Sequence, residues 1–464
     1  MSRITENTAA LRRIRSALGA CLLWPALSAL AAPPATLVSM DEALRIAVQR
    51  APSLNVRGSQ VTAAEQEAAR AGALPDPILM TGLDNLPVTG ADAFALDAEM
   101  MTMTRIGLRQ EFPARDKRDA RERFALRNVE QAQALALAEQ LAVRRAVADA
   151  WIDAWAAQRE RDALLALREQ AALAAQLSQA QVSGGESASD ALAAEAALLE
   201  LDNRLQAIEA EWLGAHAMLA RWVGDGFAVG SAADAGPLVY DSTVDSTSVF
   251  ESLPAEEAAL LASLDGLGPL LAWEARLEAT AAAVDLARAE KRPDWSVTAG
   301  YGQRRGGRSD MLTLEFAIGL PVFGVNRQDR GIAARQADYQ AALASREDAR
   351  RQLVAEIRRR FADWQGLRGQ TRRDLQQLLP LAHDRSEVTL AAYRGGAALQ
   401  PWLDARRDQL EILAAHAQRL RRFGQAWAAL AFLLPDHPDP ATAAAGQRFD
   451  NSESLDNSET GAPR

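Results

Sequence analysis

The sequence predicts a mainly α-helical chain with a small β part, built from one long-helix coiled-coil unit used twice. Three observations carry that expectation. Residues 114–183 contain no proline or glycine and end at Gly184-Gly185. A second stretch of nearly equal length, 326–394, also ends at a glycine pair, Gly395-Gly396, although Gly331, Gly366, Gly369 and Pro380 interrupt it. Phe112 and Phe323 lie 211 positions apart, as do Gly184 and Gly395, while Pro75 and Pro293 lie 218 apart, so the first hairpin is the longer by seven residues. A continuous helix of seventy residues would span about 105 Å, more than one globular domain needs.

Composition sets outer bounds. The chain has 464 residues, 48% hydrophobic and 24% charged, as in ordered proteins. Its formal net charge of −10 argues against non-specific nucleic-acid binding. Residues 1–32 read as a signal peptide: Arg12, Arg13 and Arg15 precede an apolar run over 17–30 and the small-residue site Leu30-Ala31-Ala32. Leu18-Gly19-Ala20-Cys21 has the form of a lipidation site, but the apolar run before it is too short for that type of signal. If cleavage follows Ala32, the single cysteine, Cys21, leaves with the signal, and neither a disulfide framework nor a thiolate metal site remains open. No later stretch reaches the length of a membrane-spanning helix, so insertion would have to use strands.

The first unit covers 33–224. Ser39 and Glu42 form a capping box for a leading helix whose apolar stripe passes Leu44, Val48 and Val56 and stops at Pro75-Asp76-Pro77. A β-hairpin over 78–110 follows, then the long helix 114–183, with a seam at Leu137, Leu141, Ala148, Ile152 and Trp155, then a return helix over 186–223. Residues 225–254, rich in Gly, Ser, Asp and Thr, read as a linker. The second unit, 255–435, repeats the order: a leading helix broken near 266–269, a hairpin over 295–320, the long helix 326–394 and a return helix over 397–434. Residues 436–464 read as a disordered tail. In each unit the leading and return helices, stacked end to end, match the long helix at about 1.5 Å per residue.

The hairpins are the membrane candidates. Trp295, Val297 and Tyr301 alternate with Ser296, Thr298 and Gly300, and Leu312, Leu314, Phe316 and Ile318 alternate with Thr313, Glu315 and Ala317. Such alternation over about ten residues is the pattern of an outer-membrane strand, and the apolar set is the lipid-facing candidate. In the first hairpin Met101 and Met103 share a face with Arg105 and Arg109, opposite Thr102, Thr104, Ile106 and Leu108, and the pattern does not say which face meets lipid. Four strands cannot close a barrel whose smallest bacterial form has eight, whereas three chains would supply twelve.

Chemistry-bearing motifs are missing. His216, His383, His416 and His437 are scattered without metal-ligand spacing, which suits solvated helix positions. No nucleophile elbow, phosphate loop or dinucleotide fingerprint occurs, so neither an enzyme nor a cofactor is expected. Met80, Met100, Met101 and Met103 could offer thioether sulfur to a soft cation, although packing beside a strand is methionine's commoner use.

With both units laid out, the sequence resembles the TolC-type outer-membrane efflux channels over essentially the whole mature chain. The likeness rests on Leu74-Pro75-Asp76-Pro77, on Ile106-Gly107-Leu108-Arg109-Gln110-Glu111-Phe112-Pro113 with Lys117-Arg118, and on two turns. These are Ser183-Gly184-Gly185 with Asp190-Ala191-Leu192, and Tyr393-Arg394-Gly395-Gly396 with Leu403-Asp404-Ala405. Asp84-Asn85-Leu86-Pro87 and Met101-Thr102-Met103 look most like the heavy-metal branch, the cobalt–zinc–cadmium and copper–silver channels. The resemblance implies a homotrimer whose twelve strands form an outer-membrane β-barrel, continued through the periplasm by an α-barrel and belted by the linker. It implies a passive duct for heavy-metal cations, with a periplasmic adaptor and an inner-membrane pump of the resistance–nodulation–division type as partners. Drug efflux or type I protein secretion is the alternative cargo reading, and a soluble periplasmic coiled-coil adaptor the alternative class. In such channels the helix turns contact the adaptor, here Gly184, Gly185, Gly395 and Gly396, and present acids to the pore, here Asp190 and Asp404. Pro401 stands where many members have a second acid.

Overall fold

The computed structural model describes residues 36–182, 188–224, 227–229, 248–398 and 400–434. The signal peptide with Cys21, Gly184-Gly185, most of the 225–254 segment and the 436–464 tail lie outside them.

The chain begins with β1 (Thr36–Val38), α1 (Met40–Arg50) and α2 (Pro52–Ala71). Ser39 Oγ accepts the Glu42 N–H at 3.2 Å and caps α1, and Pro52 at the first position of α2 separates the two helices. Strands β2 (Ile78–Asp84) and β3 (Met103–Phe112) lead into α3 (Arg115–Val182), 68 residues without a break, and α4 (Ala188–Val223) returns along it. Next comes β4 (Phe227–Val229), which pairs in parallel with β1. It lies in the segment read as linker, and three-residue strands leave no periodicity to read. The second unit runs through α5 (Ser248–Glu251), α6 (Glu257–Ala262), α7 (Gly268–Ala289), β5 (Trp295–Arg304), β6 (Met311–Ile318), α8 (Gln328–Arg373), α9 (Leu379–Arg394) and α10 (Gln400–Ala431).

Helix α3 packs against α2 and α4 of its own unit and against α7 and α10 of the other; α8 packs against α7 and α10. Its alanines make this possible, because small side chains let neighbours approach closely while favouring helix. Val147, Ala148, Ile152, Ala154 and Trp155 are buried with Phe423, Trp427 and Leu430 of α10 and Ala43 and Ala47 of α1. Gly424 lies so close to Ile152 that a Cβ there would stand 3.0 Å from Ile152 Cγ2.

Two tryptophans display the duplication. Trp151 Nε1 donates to the Val38 carbonyl at 3.0 Å, and Trp364 Nε1 donates to the Phe250 carbonyl at 2.9 Å. Trp151 stands 36 residues past Arg115, and Trp364 stands 36 past Gln328, the first residues of their helices. Each tryptophan thus ties its long helix to the segment that precedes its leading helices.

Between α8 and α9 the backbone makes one wider π-type turn over 374–378. The buried positions Ile357, Trp364 and Thr371 are spaced by seven; Leu379 follows Thr371 after eight, and Ser386 follows Leu379 after seven again. The turn absorbs the extra residue and keeps the buried stripe on one side.

Strand ends are set by neighbouring loops, and β3 runs to Phe112, two residues past the expected end of the first hairpin. β3 starts at Met103, because Asn85 Nδ2 donates to the Met101 carbonyl at 3.3 Å and Thr102 Oγ1 to the Asn85 carbonyl at 2.8 Å, folding 100–102 into the loop neck. β6 stops at Ile318, where the Gly319 N–H turns to the Asp294 carbonyl at 2.8 Å.

Candidate functional site

The four strands form one antiparallel sheet in the order β2-β3-β5-β6. Its register fixes which side chains share a face, since alternate residues point to opposite sides. Trp295, Val297 and Tyr301 stand opposite Ile318, Phe316 and Leu312, with Leu314 opposite Ala299, so the whole apolar set of the second hairpin falls on a single face. The β3·β5 pairing places Ile106 against Tyr301, Leu108 against Ala299 and Phe112 against Trp295, whose rings stack at 4.3 Å. The β2·β3 pairing adds Leu79, Thr81 and Leu83. The first hairpin's open question therefore has a geometric answer: Thr104, Ile106 and Leu108 join the apolar face, and Met103, Arg105 and Arg109 the other.

That apolar face is uncovered. Leu312 and Phe316 are each 75% exposed, and every residue of β6 is exposed. A contiguous bare patch of this kind marks a surface for lipid or protein. The opposite face is polar and paired, with Arg105 Nε 3.3 Å from Asp84 Oδ2 and Arg109 Nη2 3.7 Å from Glu111 Oε1. At the far end Arg308 Nη1 donates to the carbonyls of Asp97 and Glu99 at 3.0 and 3.2 Å, fastening the long first-hairpin loop to the turn of the second.

The sheet meets the helices at a buried lysine. Lys117 Nζ lies 2.6 Å from Asp294 Oδ2, and Asp294 Oδ1 accepts the Ala114 N–H at 3.0 Å, so one carboxylate joins the start of α3 to the start of β5. Burial pushes the Asp294 carboxyl up, but the hydrogen bonds from Lys117 and Ala114 together outweigh it and hold the group below its usual range.

The opposite ends of the long helices carry the turns. Gly396 has φ +94°. The Ala397 N–H bonds to the Ala392 carbonyl at 3.1 Å and the Gly396 N–H to the Tyr393 carbonyl at 2.9 Å, a Schellman ending that needs glycine at the left-handed position. Tyr393 and Trp402 stack across the turn, centroids 6.4 Å apart. Asp404 Oδ1 accepts from Gln400 Nε2 at 3.1 Å and has Arg407 Nη1 at 3.7 Å, so its charge is partly offset. Gly395 is the cap residue of α9. Asp190 belongs to the first turn of α4. Gly184 and Gly185 lie outside the described residues.

Sequence reasoning missed two clusters. His416, expected at a solvated position, is buried on α10; its Nδ1 is 3.1 Å from Oδ2 of buried Asp374 in the π turn, which Arg419 also holds. Desolvation lowers the His416 pKa against the pull of Asp374. No sequence signal marks this triad, because the wider turn and its packing create it. On α3, burial pushes Asp149 up to about 6, opposed by Arg145 and Arg360 and aided by Asp153. Among the described residues no group of three His, Cys, Asp or Glu could hold a metal ion.

The duplicated long-helix unit ending in a one-sided four-stranded sheet is a fold shared with solved outer-membrane channels. The outer-membrane channel OprN aligns with TM-score 0.67 at 19% identity over 86% of this chain and 90% of its own. The Campylobacter jejuni outer-membrane channel CmeC gives 0.67 at 13% over 88% of each, and CusC, described by its transmembrane channel formation, 0.62 at 16% over 85% and 92%. At these identities the likeness is one of fold. Residues 268–435, the greater part of the second unit, match the family described as outer membrane efflux protein. No curated protein matches the sequence.

Proposed function

We propose that this protein is the outer-membrane channel of a tripartite efflux system, a passive duct across the periplasm and outer membrane. The sheet carries the reading: one face is apolar and bare, the other polar and ion-paired, and both edges are open. Open edges are not tolerated in lipid, and four strands cannot close. A homotrimer supplies twelve, turns the apolar face to outer-membrane lipid and encloses the polar one. The helix lengths, near 100 Å at 1.5 Å per residue, suit a conduit far deeper than the bilayer.

The turns near Gly184-Gly185 and Gly395-Gly396 are the natural contacts for a periplasmic adaptor, and through it an inner-membrane pump supplies the energy. Asp404 and Asp190 are candidates for the entrance ring. Heavy-metal cations are the proposed cargo, supported by the likeness of Asp84-Asn85-Leu86-Pro87 and Met101-Thr102-Met103 to the metal branch. The mixed-charge face of Arg105, Arg109, Asp84, Glu111 and Glu315 offers no strong filter, so selection falls to the pump.

The test is biochemical. Carbonate-washed membranes should retain the protein, detergent should release a trimer, and that trimer should conduct ions in a planar bilayer. A carbonate-soluble monomer without conductance would favour the soluble adaptor. Loss of metal resistance on deleting the gene, without loss of drug tolerance, would support the cargo.

A further inference from the structure

Met103 of β3 lies across the neighbouring strand. Its Sδ stands where a Cβ on Gly302 of β5 would have to go, so only glycine leaves room for it. Gly302 in turn pairs with Met311 of β6. All three positions share the polar face: Gly302 pairs with Arg105, two residues from Met103, and alternate residues of a strand point to the same side. Side chains directly opposite in an antiparallel pair have Cβ positions about 5 Å apart. The Met103 sulfur, carried over Gly302, is therefore within reach of the Met311 thioether, and one small ion fits between them. Met311 is 37% exposed, which leaves the pair open to solvent on that face.

The surroundings decide which ion. Asp84 stands opposite Met103 on β2, but its carboxylate is engaged by Arg105, with Nε 3.3 Å from Oδ2. Asp310, beside Met311, accepts from the Tyr301 hydroxyl and, at 3.1 Å, from the Arg304 N–H. Glu315 shares the face but lies four residues along β6, about 13 Å away. Arg304, opposite Met103 on β5, donates from Nε to the Ser309 carbonyl at 2.6 Å and from Nη1 to the Met100 carbonyl at 3.5 Å. Two cationic side chains thus border the notch, and its acids are already partnered. A hard divalent ion finds no ligands there, whereas neutral, polarisable thioether sulfur suits a soft monovalent ion.

We propose that Met103 and Met311 form a Cu(I) site on the polar face of the sheet, with Gly302 as its floor. The site rests on the channel reading, in which that face is enclosed, and gives the cargo a narrower class: a soft monovalent cation rather than a harder divalent one such as Zn(II) or Co(II). Two thioethers hold such an ion weakly, which suits a stopping place on a conduit, because an ion bound too tightly would not leave. Met80 shares the face but sits on β2, three strand spacings or about 14 Å from β6, and takes no part.

The detergent-solubilised full-length protein, titrated with Cu(I) under a reductant against a colorimetric chelator, should bind one Cu(I) per chain, and Zn(II) should not compete. Met103→Leu and Met311→Leu keep the side-chain volume and remove the sulfur, and each should weaken binding by about tenfold or more. Gly302→Ala should weaken it with both sulfurs present, because the added methyl displaces the Met103 thioether, and Met80→Leu should leave it unchanged. A protein that binds no Cu(I), or a Met103→Leu/Met311→Leu double variant that binds it as tightly as the parent, would overturn the site. If that same preparation conducts ions in a planar bilayer, the channel reading stands without it. Cu(I) binding lost in the double variant, from a protein that never conducts, would uphold the site and overturn the channel.

Discussion

Helices α2 and α7 occupy equivalent places in the two units, yet only α7 is enclosed. It has long helices on both flanks, and Asp294, just beyond its end, ties α3 to the sheet. α2 has α3 on one flank, and Asp76, beyond its end, is exposed. The same element is thus seen once with its neighbours and once without. The difference teaches that one repeated element can be covered within the chain in one unit and left bare on one flank in the other.

The largest effect should come from breaking the enclosed member. Asp294→Ala leaves the Lys117 ammonium, 8% exposed, without its partner, a loss of about 2 kcal/mol once the half-exposed carboxylate is discounted. Thermal unfolding should show it, whereas Asp76→Ala, at an exposed carboxylate, should change stability little. Equal losses from the two substitutions would dissolve the contrast.

Next come the matched tryptophans. Trp151→Phe and Trp364→Phe each strand one carbonyl, Val38 or Phe250, and each should cost about 1–2 kcal/mol in denaturant titrations. Unequal costs would mean that the two anchors are not energetic counterparts.

A smaller, pH-dependent effect belongs to Asp149. Because its folded pKa is raised to about 6, its contribution to stability is fully present below the unfolded carboxyl pKa, about 3.9, and is lost as pH rises through 6. Asp149→Asn should therefore raise the melting temperature at pH 7.5 and leave it unchanged at pH 4. An unchanged melting temperature at pH 7.5 would mean Arg145 and Arg360 offset the burial in full.

The smallest change is expected from Asp404→Ala. Arg407 already offsets that charge, so cation-over-anion preference in single-channel records should fall only slightly. A large fall would place Asp404 at the narrowest point and set the α10 turn apart from its α4 counterpart.

Much of this fold could be read in the sequence because it is written in local patterns. Long alanine-rich runs without Gly or Pro give long helices, and the alternation from Trp295 to Ile318 gives a one-sided hairpin. The first hairpin's facing was illegible, since Met103, Arg105 and Arg109 alternate with Ile106 and Leu108, and only pairing with β5 decides it. Lys117 and Asp294 lie 177 positions apart, and His416 and Asp374 lie 42 apart, so packing rather than spacing joins them. At the turn of α9 the glycine pair was visible, but the stacking of Tyr393 on Trp402 depends on how tightly the chain reverses.

The π turn at 374–378 means that the second long helix counts in sevens but carries one residue too many. A plain α-helix would rotate everything beyond it by about 100° and swing Leu379, Ala382 and Ser386 away from α10. Removing one residue from the turn would restore an unbroken count and keep those contacts, but at the expense of Asp374's place beside His416 and Arg419. The helix thus holds a length reserve: a single-residue change in chain length can be taken up at this one turn without re-phasing either neighbour.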